Sequence, residues 1–308
     1  MRLAFFTELY RMMVRYPEIF LIISDNGAIV SDDLRKDLKK RYINVGVSEQ
    51  NMIGVAAGMA LMGKVVYAFT MVPFATMRCY EQIRIDMALQ NSNVKIIGVG
   101  PGFDYSTLGP THHGYEDISL MRGLPHMTVL SPSDDIMAKA MVRASYQQSG
   151  PVYIRLDRNG QPFVYQNRKL DLRKGFEVLS QGEEIGIITT GRMVHTGLKV
   201  RDYFLKYKKK IEVIDLFRLK PVNENALIQT MKRHKHLVTL EEHFVTGGLG
   251  SIVSEIITDH HLDVRLERIG IPDTFYTKTG TREYAYKCMK IDFEHVVRRL
   301  KEKRIAGL

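Results

Sequence analysis

Apolar residues recur along the first half of the chain in two rhythms. Residues 3–16 place them at helical spacing and stop before Pro17. Residues 19–24 form a short apolar run of strand length, and similar runs recur at 65–69, 94–99, 127–130 and 152–156. Helical patterns separate them at 32–41, 75–90 and 134–147. Buried strands alternating with helices predict a parallel, doubly wound α/β sheet. Residues 159–174 are polar, with Gly160, Pro162 and a Lys/Arg cluster, and read as a linker. A second alternating block follows, with strands at 185–189, 211–216, 237–240 and 264–269. Its helices are expected at 194–207, 223–233, 250–259 and 291–303. The expected organisation is two doubly wound α/β domains, residues 1–165 and 175–308.

Residues 43–62 stand out within this pattern. Ile43, Val45 and Val47 alternate like the end of a strand, and Ser48 occupies the place of a helix N-cap. From Glu49 the chain reads as a helix without exposed charge. Such a helix is expected to be buried on nearly all sides. Gly54, Ala57 and Gly58 leave a smooth face that another backbone could approach. One carboxylate, Glu49, therefore sits at the mouth of a buried helix, with Val47, Met52, Ile53 and Val55 as apolar surroundings. A buried carboxylate needs a partner or a raised pKa. The stretch alone leaves two roles open: an electrostatic match to the helix N-terminus, or proton handling in a dry site.

Composition narrows the class. A hydrophobic fraction of 45% and a charged fraction of 25% over 308 residues are those of a soluble globular protein. No apolar run approaches the ~20 residues of a membrane span. The first residues carry an acid, Glu8, and no long apolar core, so no signal peptide is expected. Cys79 and Cys288 lie far apart and define neither a disulfide framework nor a metal spacing, which fits a reducing cytoplasm. The net charge of +10 is scattered over 35–41, 206–210, 232–235 and 298–304. No nucleic-acid motif accompanies it. Solvated helix faces, or attraction to phosphorylated substrates or an acidic partner, account for it.

Three further blocks carry chemistry. Phe74, Met77 and Tyr80 fall three apart in Pro-Phe-Ala-Thr-Met-Arg-Cys-Tyr-Glu-Gln. Such a set can be a core face, a wall for a ring, or both. Gly109-Pro110-Thr111-His112-His113-Gly114-Tyr115-Glu116-Asp117 places an imidazole, which titrates near neutrality, in a glycine-flanked loop. A lone loop histidine can also be merely exposed. The run that begins at Gly150 ends in Arg158. Its guanidinium suits phosphate through forked hydrogen bonds, or equally a surface ion pair.

These blocks occur in order with Val45-Gly46-Val47-Ser48-Glu49-Gln50-Asn51-Met52, Thr190-Gly191-Arg192-Met193-Val194 and Ile214-Asp215-Leu216 with Lys220-Pro221. Glu241-Glu242-His243 with Gly247-Gly248-Leu249-Gly250 completes the set. The whole resembles the pyrimidine-binding and C-terminal domains of transketolases, from about Arg2 to about Arg282. The resemblance implies a thiamine-diphosphate-binding (pyrimidine-type) fold followed by a transketolase C-terminal-type domain. It implies that Glu49 hydrogen-bonds N1′ of the cofactor's aminopyrimidine, and that Phe74 packs on that ring with Tyr80 nearby. Met77 stands where the family carries an aromatic. His112 would face the substrate and handle its protons. Arg158, with Arg2 as a second candidate, would grip a sugar phosphate.

Two positions depart from the family pattern. Gly100 and Leu108 stand where many transketolases carry a histidine acting on substrate hydroxyls and an aspartate that reads sugar stereochemistry. The usual pentose phosphates are therefore not implied. Gly-Asp-Gly, with which the family holds the diphosphate through a metal, occurs nowhere in the chain. The expectations are ketol transfer from a ketose to an aldose, and no metal bound by this chain. Mg²⁺ or Ca²⁺ would be held with the diphosphate by an N-terminal diphosphate-binding transketolase subunit. Self-association around a two-fold axis, two copies with two partners, and inactivity alone are expected as well. Other readings are the beta subunit of a 2-oxoacid dehydrogenase decarboxylase, 1-deoxyxylulose-5-phosphate synthase-like acyloin formation, and a non-catalytic partner. The retained Glu49 and His112 speak against the last.

Overall fold

A computed structural model describes residues 1–25, 36–168, 170–303 and 305 of the chain. It divides into two compact units, Met1–Pro101 with Leu120–Leu170, and Gly102–Ser119 with Asp171–Leu308. A cut at the linker alone does not anticipate the excursion 102–119.

The first unit carries strands β1 (Ile19–Ile23), β2 (Tyr42–Asn44), β3 (Val65–Met71), β4 (Val94–Val99), β5 (Thr128–Leu130) and β6 (Val152–Leu156). They run in the order β5-β6-β4-β3-β1-β2, every neighbouring pair parallel. β4 and β6 are buried along their whole length, as strands covered on both faces are, and their sequences are accordingly near-continuous apolar runs. The helices are α1 (Arg2–Arg15), α2 (Glu49–Leu61), α3 (Val72–Thr76), α4 (Tyr80–Gln82), the second half of α5 (Asp117–Arg122) and α6 (Asp135–Gln147). α1 packs along α6. Between them Arg143 donates to the buried Glu8 carboxylate at 2.7 Å, and the Tyr16 and Tyr146 rings lie 4.6 Å apart. Asp134 caps α6 by accepting from the Met137 amide at 2.9 Å.

Several expectations are modified here. Residues 32–35 of the helix expected at 32–41 lie outside the described residues, and residues 38–41 form a turn leading straight into β2. The span 75–90 is not one helix. It is α3, α4 and a π-helical stretch, Ile83–Leu89. The Thr76 hydroxyl donates back to the Val72 carbonyl at 2.7 Å and the Cys79 thiol to the Phe74 carbonyl at 3.2 Å. These side chains satisfy carbonyls that a regular helix would use, and such widened turns gather at functional sites. Ser48 stands at the N-cap of α2, but its hydroxyl donates to the Val45 carbonyl at 2.8 Å instead of capping.

α2 is buried on one side only. Met52, Ile53, Ala56 and Ala57 face the core. Gly54 and Gly58 open onto space, with no atom within 4 Å of the point where a Cβ would stand, and Leu61 and Met62 are 65% and 80% exposed. At 3.6 residues per turn, positions 54, 58, 61 and 62 share one stripe, and Ala57, at the edge of that stripe, is itself buried. The open face is therefore Gly54, Gly58, Leu61 and Met62, not the set with Ala57.

The second unit carries β7 (Glu177–Ser180), β8 (Ile185–Thr189), β9 (Ile211–Asp215), β10 (Arg218–Lys220), β11 (His236–Phe244) and β12 (Arg265–Ile271). The sheet order is β12-β11-β8-β9-β7, with parallel pairs throughout except β7, which runs antiparallel to β9. An antiparallel edge strand on a parallel sheet is a common variant of this architecture. Its helices are α7 (Met193–Leu205), α8 (Glu224–Met231), α9 (Leu249–Asp259), α10 (Arg282–Met289) and α11 (Phe293–Glu302). Ile187, Val238, Leu240 and Ile269 from the strands form one core with Phe204 and Leu300. Phe103 and Tyr115 of the excursion join it. Among the described residues no helix is long and apolar enough to cross a membrane.

Candidate active site

In the first unit, Glu49 opens α2 and is buried, yet it does not sit alone. Arg78 donates through Nη1 to Glu49 Oε2 at 2.8 Å, and the same guanidinium lies 4.0 Å from the centre of the Phe74 ring. Arg78 is 42% exposed, so the pair has one foot in water. A buried carboxylate demands a charged or hydrogen-bonding partner, and the cation four residues past Phe74 supplies it. The surroundings are less uniformly apolar than expected: Met52 and Ile53 are buried, whereas Val47 is 73% exposed. Burial, and then the negative charge of Glu49, push the Cys79 thiol up to about 12. The Tyr80 hydroxyl donates to the Leu120 carbonyl at 3.1 Å, which fixes the far end of its ring. Met77 is partly exposed beside this group in sequence.

Arg78 is a test of what this corner can hold. A flat, cationic, nitrogen-bearing group already makes a hydrogen bond to Glu49 and lies over Phe74. An aminopyrimidine ring needs the same two contacts, an edge on the carboxyl group and a face on the aromatic ring. The residues present fit the pyrimidine half of thiamine diphosphate. The sequence motifs do not single out Arg78, although the cost of a buried carboxylate points to a nearby cation. Among the described residues no group of three or more His, Cys, Asp or Glu side chains is placed to hold a metal ion.

In the same unit the backbone brings Arg2 close to the residue before Arg158. The Arg2 amide donates to the Asp157 carbonyl at 3.2 Å, next to Arg158, which follows β6 and is half-buried.

The motif with His112 belongs to the second unit. Gly102 and Gly114 exchange backbone hydrogen bonds of 2.6 and 3.0 Å and close the loop at its neck. Pro110–His112 form a tight 3₁₀ turn at its tip. His112 is half-buried, with Nδ1 2.9 Å from the Thr111 hydroxyl and its ring 6.5 Å from Tyr105. His113 is of a different kind. It is buried, with its ring 5.3 Å from Phe103 and 5.7 Å from both Tyr115 and Tyr276. Neither ring nitrogen makes a well-formed hydrogen bond. Burial holds its pKa below the usual imidazole value, partly offset by the Ser106 backbone. The two adjacent histidines thus divide into one that solvent reaches and one that packs. Glu116, which the motif contains without an expected role, is pushed up to about 7 by burial, against the Tyr115 amide that donates to it at 3.1 Å.

A parallel-sheet unit with a buried carboxyl group linked through Arg78 to an aromatic face, and a second unit bearing a histidine-tipped loop, are consistent with the transketolase resemblance of the sequence. The family models agree: the transketolase pyrimidine-binding domain matches residues 1–162 and the transketolase C-terminal domain residues 175–296. The chain belongs to the transketolase family. It is 33% identical to an apulose-4-phosphate transketolase subunit of Actinobacillus succinogenes, over 85% of this chain and 84% of that one. It is 35% identical to the 6-deoxy-6-sulfo-D-fructose transketolase subunit SqwH of a Clostridium species, over 84% of this chain and 80% of the other. A solved chain described as a split gene transketolase, inactive beta4 tetramer, superposes with a TM-score of 0.88 at 30% identity. That match covers 98% of this chain and 97% of the other. These similar proteins of its own length are thus subunits of transketolases.

Proposed function

We propose that this chain is the pyrimidine-binding subunit of a two-component transketolase that moves a two-carbon ketol unit from a ketose to an aldose. The observation that carries the reading is the buried Glu49, bonded to the Arg78 guanidinium that lies over the face of Phe74. Thiamine diphosphate, when bound, supplies the carbanion chemistry. Glu49 is assigned the hydrogen bond to the pyrimidine N1′, Phe74 the ring face, and Met77 and Tyr80 the surrounding wall. Arg78 must yield both of its contacts for this. His112, reachable at the tip of its loop, is assigned the protons of substrate hydroxyl and carbonyl groups. Arg158, with Arg2 as a second candidate, is assigned an anionic end of the sugar. Two similar subunits, named for apulose-4-phosphate and 6-deoxy-6-sulfo-D-fructose, take by those names sugars with such an end. Gly100 and Leu108 favour a sugar other than the usual pentose phosphates.

The diphosphate, with Mg²⁺ or Ca²⁺, is assigned to an N-terminal diphosphate-binding subunit. The open stripe of α2 is assigned to self-association about a two-fold axis. The test is to mix the purified chain with that subunit and assay a panel of ketoses, aldoses and 2-oxoacids, with light scattering for the assembly mass. Ketol transfer should appear only on mixing, together with a two-plus-two mass. Metal-dependent ketol transfer by this chain alone refutes the two-component reading. Turnover of 2-oxoacids only refutes the reaction.

A further inference from the structure

The excursion that carries His112 is seated by three side chains of the second unit. Glu242, near the end of β11, accepts from the Phe103 amide at 2.7 Å and from Arg282 Nε at 2.9 Å, and pairs also with Arg282 Nη2. Arg282, at the start of α10, reaches with Nη1 to Asp104 at 3.2 Å. Glu242 and Arg282 are both buried, and a side chain at Gly102, whose φ is +58°, would meet the Glu242 carboxyl group at 2.2 Å. Further along, the Ser106 hydroxyl donates to the Gly280 carbonyl at 2.8 Å. The returning strand of the loop is held as well: the Phe244 amide donates to the Tyr115 carbonyl at 2.9 Å, and the Ser119 amide to His243 Nε2 at 3.3 Å. His243 Nδ1 is 2.8 Å from the Phe244 carbonyl, which makes Nδ1 the protonated nitrogen and Nε2 the acceptor.

We infer that Glu242 and Arg282 are positioning residues for His112, fixing both the root and the register of the loop whose tip bears it. The inference rests on the reading of His112 as the substrate-facing histidine. The physical case is the contrast along the loop. Its root is fastened by a buried ion pair shared among Glu242, Arg282, Asp104 and the Phe103 amide, and its neck is closed by the Gly102–Gly114 pair. The tip is built on the local turn Pro110–His112. A displacement at the root is therefore passed along the loop to the imidazole. A misplacement of ~1 Å in a catalytic group can cost on the order of 10²-fold in rate.

Two measurements test this and separate it from the reading beneath it. The first is amide hydrogen exchange on the full chain alone, for Glu242→Gln and for the milder Ser106→Ala, which loses only the bond to Gly280. Exchange within 102–119 should accelerate in both while residues 185–240 keep their wild-type rates. Unchanged exchange in 102–119, or an equal rise across the whole second unit in both variants, overturns the inference. The second is a double-mutant cycle in the two-component enzyme. Glu242→Gln should lower kcat by about 10–100-fold with cofactor affinity unchanged. The double variant with His112→Ala should be no slower than His112→Ala alone. Additive losses mean that Glu242 acts elsewhere, and the inference fails. Wild-type turnover in His112→Ala refutes the assignment of His112 itself and reduces the exchange result to a structural anchor.

Discussion

Glu49→Gln separates folding from chemistry at the first unit's site. The pair it breaks has one buried partner and one that is 42% exposed. Solvent screening limits an ion pair of that kind to about 0–1 kcal/mol, and glutamine keeps an acceptor for Arg78. A domain of this size loses roughly 2–4 °C in Tm per kcal/mol, so the shift should stay within about 4 °C. Arg78→Ala is the instructive opposite. It leaves the buried Glu49 without that partner, and an unsatisfied buried group costs about 1–3 kcal/mol. The two single variants should therefore be unequal, with Arg78→Ala the less stable. Turnover should rank them the other way. Removing an acid–base group costs about 10²–10⁴-fold, or about 3–5 kcal/mol of barrier, and Glu49→Gln removes it outright. The assays are calorimetric Tm on the chain alone, and turnover plus deuterium exchange of the thiazolium C–H in the reconstituted enzyme. Wild-type exchange in Glu49→Gln refutes the role of Glu49, and equal Tm losses in the two variants refute the described burial of the pair.

His112→Ala should lower turnover by about 10²–10⁴-fold at nearly unchanged stability. His113→Ala empties a site among Phe103, Tyr115 and Tyr276 and should cost about 2–5 kcal/mol of stability; the reverse pattern on thermal melts and kinetics means the roles are exchanged. Lys95 is buried in β4, with Nζ donating to the carbonyls of Gln148 at 2.6 Å and Gly150 at 2.7 Å, and burial lowers its pKa from 10.5 to about 7. The unfolded chain then binds more protons than the folded one between about pH 7 and the ordinary lysine range, so this group makes stability rise with pH there. Denaturant titrations should show the wild-type advantage over Lys95→Met growing from pH 7 to pH 9, and a constant difference contradicts the burial effect.

Much of this is legible in the sequence because strands buried on both faces cannot hide. β1, β3, β4, β6 and β8 are apolar or nearly apolar runs, β9 and β11 carry apolar residues among buried polar ones, and their alternation with helices implies the layered architecture. β2 and β7 are harder to read, since they are short and only partly buried. The all-round apolar α2 misleads in one respect, because hydrophobicity records what a helix tolerates and not what covers it in a single chain. Glu49, Phe74 and His112 are readable from motifs. Arg78 requires knowing that a buried carboxylate lies within reach of it. The seat of the His112 loop is out of reach of any local pattern: Glu242 and Phe103 are 139 positions apart, and Glu242 and Arg282 are 40 apart.

The excursion 102–119 also changes what counts as a module. The two family models part between residues 162 and 175, and a single cut there gives two pieces, neither of which is a unit. The first piece would keep Phe103, His113 and Tyr115 but lose Tyr276 and Tyr286, the rings that enclose them. The second would keep Glu242 and Arg282 but lose the Phe103 amide and Asp104 that they bind. A gene fusion or recombination event that joins the second half of one such protein to the first half of another therefore inherits a mismatched seam, with one parent's loop on the other parent's seat. Exchanging the second unit takes three crossovers, at 101/102, at 119/120 inside α5 and at 170/171, so its sequence has to change in concert with a stretch embedded in its neighbour.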